Sequence, residues 1–198
     1  MGRSLAELLS KRHEVIIGSR DAARAKAAAA GIIGAKGSDY SSAASECDAG
    51  IVAIPFSAVD SITILADELS NKLVISIINP MIFENGMFLY GLEEGSAAQM
   101  LAARLPKSRV ATAFNNITPG FFSKASVSVL DVAIAADSRV TFEEAASIVN
   151  SIPNLRPLYA GPLIMAQAVE RITPLMLNLA RINHTGSLST RFVSLKES

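Results

Sequence analysis

The chain has 198 residues, half of them hydrophobic, and its 18 Lys+Arg balance 18 Asp+Glu. This suits one domain of ordinary size, or one with a small appendage. The even charge argues against a nucleic-acid partner, which needs a basic surface. A lone cysteine, Cys47, excludes an internal disulfide framework, and two distant histidines, His13 and His184, form no metal-ligand constellation. The apolar runs are far shorter than the roughly 20 residues of a membrane helix, and the N-terminus has no signal-peptide apolar region. A cytoplasmic protein without a membrane partner is expected.

In chain order, residues 3–11 predict a helix and residues 14–18 an apolar strand running into Gly18-Ser19-Arg20-Asp21. Residues 21–30 predict an alanine-rich helix, begun by Asp21 and ended by Gly31. A short strand over residues 32–35, a helix over 41–46 and a buried strand over 50–55, closed by Pro55, follow. Then come a helix over 57–69, a strand over 73–78 stopped at Asn79-Pro80, and a loop rich in glycine and aromatics over 81–94. The rest predicts a helix over 95–105, strands over 109–114 and 127–135, a helix over 141–152, a strand over 155–159 and a long closing helix over 164–183. Thr141 with Glu144 reads as a capping box for the helix over 141–152.

Strands alternating with helices predict an α/β fold, a Rossmann-like doubly wound and mostly parallel sheet with a small C-terminal helical region. Residues 1–138 form the expected dinucleotide-binding domain, and residues 139–198 the region closing the cleft. In such a fold ligands sit at the carboxyl ends of the strands. The strand after the first helix ends in Ser19-Arg20, where NAD sites usually carry an acidic residue for the ribose hydroxyls. A guanidinium there favours a 2′-phosphate instead, and Arg24, four residues on, lies on the same side of the next helix. Gly2 fits the last glycine of a G-x-G-x-x-G turn. Ile54-Pro55 ends a strand, either as a simple stop or as a rigid backbone passing close to a ligand. Asn115-Asn116-Ile117, within the polar run to Gly120, offers amide and carbonyl groups to a heterocycle edge. No Ser-His-Asp or Cys-His arrangement and no carboxylate pair falls at these ends, so no catalytic side chain is assigned. Direct hydride transfer between two aligned cofactors would need alignment and exclusion of water, with little acid–base help.

These residues resemble the coenzyme F420-dependent NADP oxidoreductases. The resemblance runs through His13-Glu14-Val15-Ile16-Ile17-Gly18-Ser19-Arg20 and Glu94-Gly95-Ser96-Ala97-Ala98. It continues in residues 155–163 and in Val169-Glu170-Arg171-Ile172-Thr173-Pro174-Leu175 to Asn183. It implies hydride transfer between NADP(H) and coenzyme F420, a 5-deazaflavin, in a homodimer with small-molecule partners. It implies that Ser19, Arg20 and Arg24 bind the 2′-phosphate, and that Ile54 and Pro55 run under the nicotinamide half. Pro80, Asn115, Asn116, Ile117 and the segment near Leu188 would line the deazaflavin side. Asn115 departs from the histidine of many family members. Modules of membrane ferric reductases share Gly18-Ser19-Arg20 and the helix beginning Arg3-Ser4-Leu5-Ala6. An NADPH-dependent reductase of flavin or ferric iron is therefore an alternative, as is a non-catalytic NADP-binding or relic protein. Family members open with an apolar strand and a glycine-rich turn ahead of the residues matching Met1-Gly2. The expectation is thus a sheet with its first strand missing, in a sequence begun at an internal methionine of a longer gene.

Overall fold

The computed structural model describes residues 1–118 and 128–195. Its elements in order are α1 (Gly2–Leu9), β1 (Val15–Ser19), α2 (Ala22–Ala29), β2 (Ala35–Asp39), α3 (Tyr40–Glu46) and β3 (Ala49–Val52). A 3-10 helix (Phe56–Leu65), β4 (Leu73–Ser76), β5 (Met81–Glu84), β6 (Met87–Tyr90), α4 (Ala97–Arg104) and β7 (Arg109–Thr112) come next. The chain ends with β8 (Leu130–Ala136), α5 (Arg139–Asn150), β9 (Leu155–Gly161), a short 3-10 turn (Leu163–Met165) and α6 (Ala166–Ile182).

The central sheet has the order β3-β4-β7-β8-β9. Strands β3, β4 and β7 run parallel, β8 runs antiparallel to β7, and β9 is parallel to β8. β4 is buried along its whole length because both faces are covered. Alternate side chains go to opposite layers. Leu73 and Ile75 join α1 and α5 through Leu5, Leu9, Phe142, Ala145 and Val149. Val74 joins the other layer, with Val59, Ile62 and Leu65 of the 3-10 helix and Leu101 of α4. The mostly parallel α/β expectation therefore holds, with β8 as the reversed strand.

β1 and β2 form a separate parallel pair. Among the described residues, β1 and β3 each keep one edge without a strand partner. α1 spans the two pieces: Leu5 and Leu9 share a core with Val15 of β1 and with Ala49 and Ile51 of β3. Gly37 in β2 is required by α2, because a Cβ there would lie 2.3 Å from the carbonyl carbon of Ala25.

Several local expectations are corrected. The second strand is not residues 32–35 but Ala35–Asp39, since Gly31 and Gly34 both turn through positive φ and leave Ile33 in solvent. The helix expected over 57–69 is a 3-10 helix to Leu65. Its buried Val59, Ile62 and Leu65 recur every three residues, which is the 3-10 period. The loop expected over 81–94 contains the β5–β6 hairpin, turned by Asn85 and Gly86, both with positive φ. Ser138, not Thr141, caps α5, accepting the Thr141 N–H at 3.1 Å. Glu144 instead forms two hydrogen bonds with Arg109, so the capping box does not form. The start of the strand expected at Val127 lies outside the described residues. β9 lies in the same sheet as β8, so a boundary at 138 falls within one structural layer.

Candidate functional site

The carboxyl ends of the parallel strands and the start of α1 meet along one edge. The first intrahelical bond of α1 runs from Leu5 N–H to the Met1 carbonyl, which leaves the N–H groups of the first turn directed out of the helix. Gly2 holds this helix start close to the end of β3: a Cβ on Gly2 would come within 3.1 Å of the Ala53 Cβ. Close helix–strand approach is the role of the last glycine in a dinucleotide-binding turn, and N–H groups at a helix start suit a phosphate.

At the end of β1, Ser19 is half-buried while Arg20 and Arg24 are exposed. Among the described residues neither guanidinium is held in an ion pair. Asp21 caps α2 by accepting the Ala23 N–H at 2.8 Å, and its own N–H reaches Ser19 Oγ at 3.4 Å. Asp39, the register partner of Ser19, is missing from the sequence reading. Its carboxylate caps α3, accepting Ser42 N–H at 2.9 Å and the Ser42 hydroxyl at 2.8 Å. Those bonds, the backbone one first, hold its pKa below the ordinary carboxylate value. Both acidic groups at this edge, Asp21 and Asp39, are thus committed to helix caps, and the two arginines remain open to an anion.

Ile54 is half-buried against the core layer below, and exposed Pro55 starts the 3-10 helix, its carbonyl accepting Ala58 N–H. Both lie directly after β3. Pro80 is buried after β4, and its carbonyl accepts Gly91 N–H at 2.9 Å, closing the base of the hairpin.

The Asn115–Ile117 turn is less open than the sequence suggests. Phe114 turns through φ 64° while fully buried, in a region that L-residues enter at a cost. Asn115 is 3% exposed. Its amide donates to the Ile78 carbonyl at 3.1 Å and to Asn79 Oδ1 at 3.0 Å, and its Oδ1 accepts the Thr112 hydroxyl at 2.7 Å. Asn116 is fully buried, donating to the Asp131 carbonyl and the Thr190 hydroxyl and accepting Ala133 N–H. Ile117 is a core residue. These three shape the wall with their backbone, and their side chains bind the protein itself. Pro119 and Gly120 lie outside the described residues.

Leu188 is half-buried and joins this wall through its neighbour: Ser189 Oγ accepts the Thr118 N–H at 3.1 Å. The C-terminal segment is fastened further by Asp131, which is fully buried. Its carboxylate takes Arg156 through two bonds, at 2.6 and 3.0 Å, and accepts the Phe192 N–H at 2.5 Å. Burial alone would raise its pKa, but Arg156 and the Phe192 amide outweigh that and hold it low.

Sequence reasoning missed the ties made by α6. Thr173 donates its hydroxyl to the Asn115 carbonyl at 2.6 Å. Glu170 is fully buried, and its carboxylate accepts Tyr90 OH at 2.8 Å, Ala97 N–H at 3.0 Å and Ala98 N–H at 3.1 Å. Burial pushes the Glu170 pKa up, and these three donors restrain the rise. The Tyr90 pKa is raised by burial and then by the Glu170 charge. The sequence signal was available, because Glu170 falls on the same helix face as Ala166, Val169, Thr173 and Pro174.

Residues 1–80 match the family model described as NADP oxidoreductase, coenzyme F420-dependent. A protein named F420-dependent NADP reductase, from Methanothermobacter thermautotrophicus, is 33% identical over 93% of this chain and 86% of its own. One of the same name from Methanocaldococcus jannaschii is 30% identical over 90% and 86%. A solved structure named for F420-dependent NADP reductases, from Arthrobacter sp. FB24, superposes with a TM-score of 0.86 at 18% identity, covering 98% of this chain and 94% of that one. A pyrroline-5-carboxylate reductase from Coxiella burnetii shares the fold at a TM-score of 0.60 and 14% identity, over 95% and 68% of the two chains.

Proposed function

This chain belongs to the family of F420-dependent NADP reductases, and we propose that it transfers a hydride between NADP(H) and coenzyme F420. The observation that carries the NADP half is the pair Arg20 and Arg24, exposed at the end of β1 and unengaged by any carboxylate among the described residues.

The site fits the two groups in chemistry. Arg20 and Arg24 pair with the 2′-phosphate, and Ser19 Oγ adds a short polar contact. The N–H groups at the start of α1 face the pyrophosphate region, held close by Gly2 against Ala53. Ile54 and Pro55 give a rigid apolar floor to the nicotinamide half. Asn79-Pro80, the turn at Asn115 to Ile117 and the Leu188 segment form the facing wall for the deazaflavin. When both are bound, the chemistry supplied is hydride movement between the nicotinamide C4 and the deazaflavin C5. The protein's part is to align the two rings and exclude water, which converts an encounter in solution into a positioned one. The Asn115 ties to Ile78, Asn79 and Thr112 keep the wall rigid without placing an acid or base on it.

The assignment of residues 139–198 as the region that closes the cleft rests on Thr173 and on the strapped segment around Ser189. It is a division of roles, since β9 remains part of the central sheet. A homodimer is part of the proposal. Leu175, Leu179 and Ile182 form an exposed apolar stripe along α6, spaced at i, i+4 and i+7, and a contiguous apolar surface of this kind favours a partner face. Among the described residues no helix is long and apolar enough to cross a membrane, and the proposed setting is the cytoplasm. The test is direct: purified protein mixed with NADPH and F420 bleaches the deazaflavin absorbance, and the reduced deazaflavin with NADP restores it. A protein that binds both and changes neither absorbance would overturn the proposal.

A further inference from the structure

We propose that Glu170 is a positioning residue for the acceptor side of the cleft, an inference that rests on the function proposed above. Its carboxylate is buried completely. One oxygen receives both the Tyr90 hydroxyl and the Ala97 N–H, and the other receives the Ala98 N–H. Ala97 and Ala98 open α4, so the group closes the start of that helix from another element, beyond the cap already made by Ser96. Tyr90 ends β6, and Arg171 lies over its ring at 4.9 Å. Glu170 therefore joins three elements, β6, α4 and α6, at one point.

One helical step further along the same face, Thr173 donates to the Asn115 carbonyl at 2.6 Å. From Asn115 the links run on to Ile78 and Asn79 at the end of β4. At the far end of α6, Asn178 accepts Phe88 N–H at 2.8 Å and donates to the Phe88 carbonyl at 2.7 Å, in the manner of an added strand. α6 thus grips the hairpin at one end and the acceptor wall at its middle, and the axial and rotational setting of its middle is fixed by Glu170. A carboxylate is the suitable group because all three of its partners are donors. Glutamine would place an amide against an N–H, and alanine would leave two amides of α4 unpaired in a buried place.

The experiment uses Glu170→Gln and, as a milder cut that retains the carboxylate, Tyr90→Phe. The first measurement is the split of KM in steady state. In E170Q the KM for F420 rises about tenfold and that for NADPH changes less than twofold; Y90F moves the same way by a smaller factor. The second is amide hydrogen exchange at residues 115–118 without any cofactor, which accelerates in E170Q and, to a lesser degree, in Y90F. Glu170→Asp, which keeps the charge on a shorter stem, restores part of the F420 KM. A purely structural role would lower the melting temperature and leave both KM values and exchange at residues 115–118 as in the parent. That result, or equal rises in both KM values, overturns the inference. If the parent protein never reduces F420, the function proposed above fails. The exchange measurement still decides whether Glu170 sets the Asn115 turn.

Discussion

Replacing Arg20 by alanine isolates the contact on which the NADP assignment depends. Arg20 is exposed and caps nothing, so its removal leaves the fold intact. A guanidinium–phosphate pair with charge-assisted bonds contributes about 1.5–3 kcal/mol when shielded, and exposed ion pairs contribute about 0.2–1 kcal/mol. A doubly charged phosphate beside an exposed arginine falls between these, at about 1–2 kcal/mol, or roughly 5- to 30-fold in Kd at about 1.4 kcal/mol per decade. NADH lacks the phosphate and should change by less than about twofold on the same scale. Titration of both nucleotides by NAD(P)H fluorescence measures this. Raising salt from low to molar ionic strength should shrink the difference, because the Debye length falls to about 3 Å at 1 M. Arg20→Glu should widen the gap by adding repulsion. Equal weakening of NADPH and NADH in R20A, or no change in either, would refute the phosphate-site reasoning.

Further outcomes follow from packing and charge. Asp131→Asn leaves Arg156 without its carboxylate and should destabilise the protein by about 2–4 kcal/mol, near the lower range for breaking a buried pair because Arg156 is half exposed; thermal melting checks it. Because the Asp131 pKa is held below its ordinary value of 3.8, its stabilisation is present above that pH and lost as pH falls through the lower folded value. The parent melting temperature should therefore drop more steeply than that of D131N in acid below about pH 4, and parallel profiles would contradict the assignment. Gly37→Ala forces a Cβ to 2.3 Å from α2 backbone and should cost about 3 kcal/mol or more, roughly a 6–12 °C fall in Tm for a domain of this size; an unchanged Tm would show that α2 can move away. Leu179→Glu places a charge in the exposed apolar stripe of α6, and light scattering after size exclusion should show a dimer converted to monomer. A parent that is monomeric at all concentrations would rule out that interface.

Much of this architecture could be read from residue pattern, because strong periodicity reports burial directly. The alternating helices and strands, the Asp21 cap and the long α6 needed no tertiary information. The misses share a cause: local signals were outweighed by neighbours in space. Residues 32–35 look like a strand by composition, yet two glycines with positive φ turn them and the polar Ala35–Asp39 pairs with β1 instead. The Asn85-Gly86 pair is a hairpin-turn signal, but the glycine- and aromatic-rich composition around it reads as a loop. The positions of Ser19, Arg20 and Gly2 at a strand end and a helix start were legible, because residue pattern reports where elements begin and end. Asn115 and Asn116 were misjudged in orientation. Their amides turn inward to Ile78, Asn79, Asp131 and Thr190, partners up to 74 residues away that no local pattern announces. For Glu170 the helix face reports burial, but its three donors come from segments more than 70 residues earlier, so its partners are not legible locally.

The central claim is that the arginine-bearing edge and the facing Asn79–Asn115 wall bring NADPH and a deazaflavin into line for direct hydride transfer. The decisive measurement is transfer of deuterium from NADPH carrying two deuteriums at the nicotinamide C4 to F420, followed by mass spectrometry of the reduced deazaflavin. The account predicts one deuterium carried to the deazaflavin C5 with none exchanged with water. Reduced F420 whose new C5 hydrogen comes from solvent, or no reduction in the presence of saturating amounts of both, would contradict it.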